Sequence, residues 1–233
     1  MEFLTALFTH ASTIYGLSPN PCSKVKKIGK PEADELNFGT RDEYDAFIAT
    51  IDKDKDPMYF VLFEILFWCG LRIGEVLALT QNDIESQTIS ISKTYYRAKG
   101  EDVITEPKTE NSVRKVDIPE FLSDEIDMYV KRLYKYPKDQ RLFPVVAEAV
   151  QHKMKRHIEK AEVKKIRVHD LRHSHVAYLI HEGFEPSLIK QRLGHKDIKI
   201  TLNTYGHLYP NEGRKLADEL DRLKKEKESE KGE

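Results

Sequence analysis

"VHDLRHSHVAYLIHEG", residues 168–183, sets His169, Arg172, His173 and His175 within seven positions and then runs into an apolar helix. A histidine pair four residues apart on a helix can hold a metal. A histidine with an arginine three residues on shares one helix face with it and can hold a phosphate, and a helix start also tolerates polar groups with neither ligand. Against the metal, no glutamate follows His169 in the helix-borne zinc pattern and no third ligand is evident. The segments on either side decide between the remaining two.

Downstream, "PSLIKQRLGHKDIKITLNTYGHL", residues 186–208, adds His195 after another helix and then Tyr205. It also reads as a helix-turn-helix, which would make the chain a DNA-binding regulator without catalysis. That reading leaves two upstream residues unexplained. "CGLRIGEVLAL", residues 69–79, places Arg72 and Glu75 three apart where a buried helix has just ended; its plain alternative is an ion pair capping a short helix. "EPKTENSVRKVDIP", residues 106–119, puts Lys108 at the tip between two strands, where simple solvent exposure is ordinary.

The remaining chain reads as mainly helical around one small antiparallel β-meander, an α+β class. Phe3, Leu4, Leu7, Phe8, Ala11, Ile14 and Tyr15 recur at helical spacing before two prolines break the pattern. "GTRDEYDAFIATI" opens a helix with Thr40 as N-cap and Glu43 completing a capping box. Residues 57–69 form a buried helix stopped by Gly70, and "GEVLAL" restarts a short one. Between 88 and 118 short β-branched runs read as the meander, and helices follow at 120–134, 146–161, 170–182, 186–194 and 211–226.

At 233 residues the chain is longer than one small core needs, which predicts one main domain with an appendage. Its net charge of −1 says nothing about nucleic acid, but residues 151–175 carry eight bases against three acids, besides five histidines, so one region is electropositive within a neutral whole. The longest apolar stretch, "MYFVLFEILFWCG", is too short to span a bilayer and is interrupted by Glu64. Cys22 and Cys69 are too far apart for a metal pair and fit a reducing compartment, so no membrane association and a cytoplasmic location are expected.

Taken in order, "GLRIGEVLAL", "PKT…RKVDIP", "HDLRHSHVAYLI", "LGH" and "TYGHL" resemble the first arginine box, the lysine hairpin, the His-x-x-Arg box, the second histidine and the nucleophile box of the tyrosine recombinases, the phage-integrase family. The resemblance covers about residues 38–210 and implies that family's catalytic fold. It divides the chain into a terminal helix of an otherwise missing core-binding domain (1–22), a linker (23–37), a catalytic domain (38–210) and a C-terminal helix with a charged tail (211–233). It implies Arg72, Lys108, His169, Arg172 and His195 as catalytic residues and Tyr205 as nucleophile, with double-stranded DNA as partner. It further implies a homotetramer on DNA, a monomer when free, and no metal or other cofactor. The implied function is site-specific recombination or integration for a mobile element; a type IB topoisomerase shares the chemistry and is the enzymatic alternative. His173 and His175 match no role in the resemblance and read as helix packing. Leu216, Leu220 and Leu223 form an apolar stripe that packs on the chain's own core or on a neighbouring protomer.

The residue chemistry agrees with the implied roles. A phosphodiester attacked by tyrosine gains negative charge on its non-bridging oxygens, and arginine's planar fork of donors binds two such oxygens while staying charged. A phenol with a pKa near 10 is protonated at neutrality and needs a base. His169 is the expected base, His195 the expected donor to the phosphate, and Lys108 the expected acid on the departing 5′ oxygen. The product would be a 3′-phosphotyrosyl bond and a free 5′ hydroxyl.

Overall fold

The computed structural model describes residues 2–17, 20–24, 37–106, 113–208 and 222. They fall into two compact units, Met1–Leu36 and Asn37–Glu233. In the first, helix α1 (Glu2–Tyr15) is tied to a short 3-10 turn, Pro21–Lys24, through the Asn20 amide, which donates to the Thr5 carbonyl at 3.1 Å and to the Thr9 hydroxyl at 2.9 Å.

The second unit starts from a cap. Thr40 Oγ1 accepts from the Glu43 amide at 3.2 Å while Glu43 Oε2 accepts from the Thr40 amide at 2.7 Å, which satisfies two orphan donors and begins α2 (Arg41–Ile48). Helix α3 (Pro57–Cys69) is apolar around its circumference apart from the buried Glu64 and is the centre of the unit. Fully burying each of Leu62, Phe63, Ile65, Leu66 and Phe67 contributes roughly 1.5–3 kcal/mol, so this helix outweighs any single polar contact. Gly70 ends it at φ 61°, ψ 29°, the left-handed conformation that turns the chain back into α4 (Ile73–Ala78).

The strands are β1 (Ile84–Glu85), β2 (Thr88–Ile91), β3 (Thr94–Ala98), β4 (Glu101–Thr105) and β5 (Arg114–Asp117). They form two antiparallel sheets, one ordered β1-β2-β5 and the other the β3-β4 hairpin. The single meander expected from the sequence is therefore divided, because β2 skips the hairpin and pairs with β5. The reason lies in the side chains: Ile89, Ile91 and Val116 are all buried, and only the β2–β5 pairing, Ile89 opposite Val116, closes that apolar face. Hairpin β3-β4 instead packs on α4, where a Cβ on Gly74 would lie 2.8 Å from the Tyr95 carbonyl, so glycine is required there.

Helices α5 (Glu120–Arg132), α6 (Ala147–Ala161), α7 (Asp170–His181), α8 (Pro186–Leu193) and α9 (Ile198–Tyr205) complete the unit. Helix α3 lies against α2, α4, α5 and α7. Helix α9 is absent from the sequence reading, and the expected helix over 211–226, with its leucine stripe, lies outside the described residues except for Arg222. No helix among the described residues is long and apolar enough to cross a membrane.

The turn at Gly70 carries a testable load. A Cβ there would sit 2.4 Å from the ring of buried His175, in addition to the strain of a positive φ. Gly70→Ala should cost about 2–5 kcal/mol in urea unfolding, combining a left-handed alanine with overpacking. Gly183→Ala, where φ is 79° and the added methyl meets nothing within 4 Å, should cost only about 1–2 kcal/mol. Equal losses would mean that the His175 ring yields freely.

Candidate active site

Arg72 is the N-cap of α4, and Glu75 closes the turn below it: the Arg72 amide donates to Glu75 Oε2 at 2.9 Å and its Nη1 donates to Oε1 at 3.0 Å. The capping ion pair weighed from the sequence is thus present, yet it does not use up the residue. The Arg72 side chain remains 42% exposed while Glu75 is buried. The carboxylate is also gripped by Arg114 of β5, whose Nη1 and Nη2 reach Oε1 and Oε2 at 3.1 and 2.9 Å. Burial alone would push the Glu75 carboxyl up; the hydrogen bonds and charge of Arg114, with the Arg72 amide, outweigh it and hold the pKa below the usual carboxylate value. One carboxylate therefore serves two guanidinium groups.

Helix α7 begins on its own anchor. Asp170, fully buried, accepts from the Arg167 amide at 2.8 Å and from Arg167 Nε and Nη2 at 3.2 and 2.9 Å. This fixes the first turn and points Arg172 inward, where it is only 3% exposed. Its Nη1 donates to the Gly70 carbonyl at 2.6 Å and its Nη2 to the Leu193 carbonyl at 2.8 Å. Those carbonyls close α3 and α8, so the guanidinium satisfies orphan acceptors at the negative ends of two helices. Among the described residues no carboxylate lies within ion-pair distance of Arg172. Burial, then the charge of Arg72, pulls its pKa down to about 9, which still leaves it protonated at neutrality.

His195 follows α8 directly. Its Nε2 lies 3.2 Å from Arg172 Nη2 and its Nδ1 lies 2.9 Å from the hydroxyl of buried Thr201 on α9. A guanidinium only donates, so Nε2 is the acceptor and the ring proton sits on Nδ1. Burial and then Arg172 push the pKa of His195 down to about 4. In this arrangement His195 Nε2 accepts, whereas the role expected from the sequence has it donate to a phosphate.

Tyr205 ends α9 with 2% of its surface exposed. Its hydroxyl lies 2.6 Å from Nδ1 of His173. Burial pushes the phenol up to about 12, against the pull of Arg172 and Arg72. His169, the base expected from the sequence, makes no hydrogen bond to Tyr205 among the described contacts; its ring stands edge-on to His173, 5.1 Å between centroids. Burial and then Arg172 lower its pKa.

The structure thus brings Arg72, His169, Arg172, His195 and Tyr205 to one locus. Lys108 lies outside the described residues. Strands β4 and β5 on either side of it belong to different sheets, so they do not form the hairpin expected to carry it. Sequence reasoning missed Arg114, Thr201 and the link from His173 to Tyr205. Arg114 had a signal: two residues before buried Val116, it shares the inward face of β5. The basic run around α6 is also partly structural, since Lys153 pairs with Asp56, Lys160 and Lys164 donate to the Thr50 and Phe38 carbonyls, and Arg167 holds Asp170.

Comparison with known proteins identifies the family and the fold. The profile of the phage integrase family matches residues 37–212. The chain is 34% identical to the ICEBs1 integrase of Bacillus subtilis (strain 168), an alignment covering 96% of this chain and 64% of that protein. It is 26% identical to the integrase of Staphylococcus phage L54a, over 88% of this chain and 65% of the relative. The chain therefore spans just under two thirds of the length of both. Two solved structures share the fold: the Tn1549 transposon integrase in complex with circular intermediate DNA, with TM-score 0.70 and 23% identity over 94% of this chain and 78% of that one, and the catalytic domain of bacteriophage HP1 integrase, with TM-score 0.57 and 22% identity over 82% and 98%.

The tautomer of His195 is open to direct measurement. A depressed pKa means that the ring stays neutral as pH falls through the ordinary histidine range, and nitrogen-detected NMR should find it neutral at pH 5.5 with a midpoint of about 4. A midpoint in the ordinary range would mean that Arg172 does not donate to Nε2.

Proposed function

Because the chain belongs to the phage integrase family, we propose that it is a site-specific recombinase of a mobile element that breaks and rejoins double-stranded DNA through a 3′-phosphotyrosyl bond to Tyr205. The observation that carries this reading is Arg172: a buried guanidinium held by carbonyl oxygens and a neutral histidine, with no carboxylate within ion-pair distance among the described residues. A buried cation is costly unless an anion completes it. A phosphodiester seated against Arg172 and the half-exposed Arg72 would complete it, and the two guanidinium groups would stabilise the charge that builds on the non-bridging oxygens.

In this reading Tyr205 Oη attacks phosphorus, the bond to the 5′ oxygen breaks, and Lys108 gives that oxygen its proton. The bond energy stays in the phosphotyrosine, and rejoining is the same step reversed. Four copies of the chain act together on DNA in the cytoplasm, as the family resemblance implies.

Three variants test the assignment on nicked DNA carrying attachment sequences, with the covalent adduct read on denaturing gels and DNA binding on native gels. Tyr205→Phe should keep DNA binding and lose the covalent adduct, whereas Arg172→Lys should slow adduct formation by about 10²–10³-fold, since a point charge cannot replace a fork of donors. An adduct from Tyr205→Phe would remove the nucleophile from this position. Lys108→Ala should be slower by about 10²–10⁴-fold on ordinary DNA and largely rescued when sulfur replaces the bridging 5′ oxygen, because a thiolate leaves without a proton. Equal slowness on both substrates would assign the acid to another residue.

A further inference from the structure

We propose that His173, rather than His169, is the general base that takes the proton from Tyr205, a proposal that rests on the reading of Tyr205 as nucleophile. The geometric requirement for a base is hydrogen-bond reach of the proton it removes. His173 Nδ1 lies 2.6 Å from Tyr205 Oη, and no other titratable side chain has a described hydrogen bond to that hydroxyl. Asp170, the nearest carboxylate on the helix, is fully buried and bound to Arg167 at three points, with its oxygens turned away.

The contact is built by the fold. Helix α7 carries His173 directly after Arg172, so the base and the phosphate-facing guanidinium share a rigid backbone, and α9 ends on Tyr205. The groups facing His173 are His169, Asp170, Arg172 and Arg167 from α7 and its approach, and Tyr205 from α9. Burial and then the charge of His169 lower the pKa of His173, so the ring is unprotonated at neutral pH and Nδ1 is free to accept. The phenol is far more acidic once its oxygen bonds to phosphorus, and an arriving phosphate offsets the cations that weaken the imidazole. Proton transfer and attack therefore occur together.

The step balances. The Oη–H proton passes to His173 Nδ1 as the Oη–P bond forms and the bond from phosphorus to the 5′ oxygen breaks. The leaving oxygen takes a proton from the acid, Lys108 in the reading above. In rejoining, the imidazolium returns its proton to Oη as the 5′ hydroxyl attacks.

The test uses the whole chain and a pool of nicked duplexes with a randomised centre, from which the wild type selects the molecules it attaches to. His173→Asn keeps a polar atom near the position of Nδ1 but cannot take up a proton. It should hold DNA like wild type and form the adduct about 10²–10⁴-fold more slowly, and its rate should lose the decline on acidification that protonation of the base causes in wild type. His169→Asn should keep that decline. A His173→Asn rate close to wild type, or a decline that disappears with His169→Asn instead, overturns the proposal. A second measurement needs neither DNA nor a variant in the assay: nitrogen NMR of the wild type should find His173 Nδ1 unprotonated, and a proton on Nδ1 overturns the assignment as well. Failure of the underlying reading looks different, since it appears as no adduct from wild type or as a full adduct from Tyr205→Phe.

Discussion

The site depends on keeping the Arg172 guanidinium charged in a place with almost no water. Desolvating a cation of this size costs several kcal/mol unless its donors are met. Here the acceptors are the last carbonyls of α3 and α8, whose partial negative charge is fixed by the helices themselves. Both helix ends must therefore converge on one point. That requirement explains why Gly70 takes a left-handed turn against the His175 ring, and why Gly194, also left-handed at φ 69°, ends α8 beside His195.

Charge bookkeeping around that point is deliberately incomplete. Among the described residues, Arg72 and Arg114 both bind the buried carboxylate of Glu75, Arg114 taking most of its hydrogen-bonding capacity, and Arg172 has no carboxylate within ion-pair distance. Arg192 is a further cation in the same layer; it donates to the Trp68 and Asp117 carbonyls and to the His175 ring, and so bridges α3, β5 and α7 through neutral acceptors. Among the described residues the outcome is a frame with more cations than carboxylates beside Arg172, and a rigid frame of that kind suits the proposed chemistry, because it can stabilise a developing anion without reorganising first.

The parts legible in the sequence were those with local causes. The capping box at Thr40 and Glu43, the helix over 57–69 with its glycine stop, and the pair Arg72 and Glu75 all follow from residues within a few positions of one another. Three features escaped because their causes are remote. The β2–β5 pairing depends on three buried side chains from opposite ends of the segment, whereas the nearer hairpin signal suggested a continuous meander. Helix α9, with β-branched Ile198, Ile200, Thr201 and Thr204, has a composition that favours strand; the Asp197 cap on the Lys199 amide at 2.9 Å and the burial of Thr201 and Tyr205 override it. His173 escaped for a similar reason. One position past Arg172 its identity marks no chemistry, and only the docking of α9 places a phenol on it.

That docking couples two functional groups. Thr201 and Tyr205 are four residues apart, one turn of α9, so they lie on one face at a separation of about 6 Å. The first holds His195 and the second holds His173, and both histidines flank Arg172. A rigid turn cannot shift Tyr205 along or away from α7 without also straining the Thr201 hydroxyl against His195 Nδ1. The proton on Nδ1 in turn keeps Nε2 an acceptor for Arg172. The Tyr205 hydroxyl, the proposed nucleophile, and the Arg172 guanidinium are thus linked through one histidine ring and one helical turn.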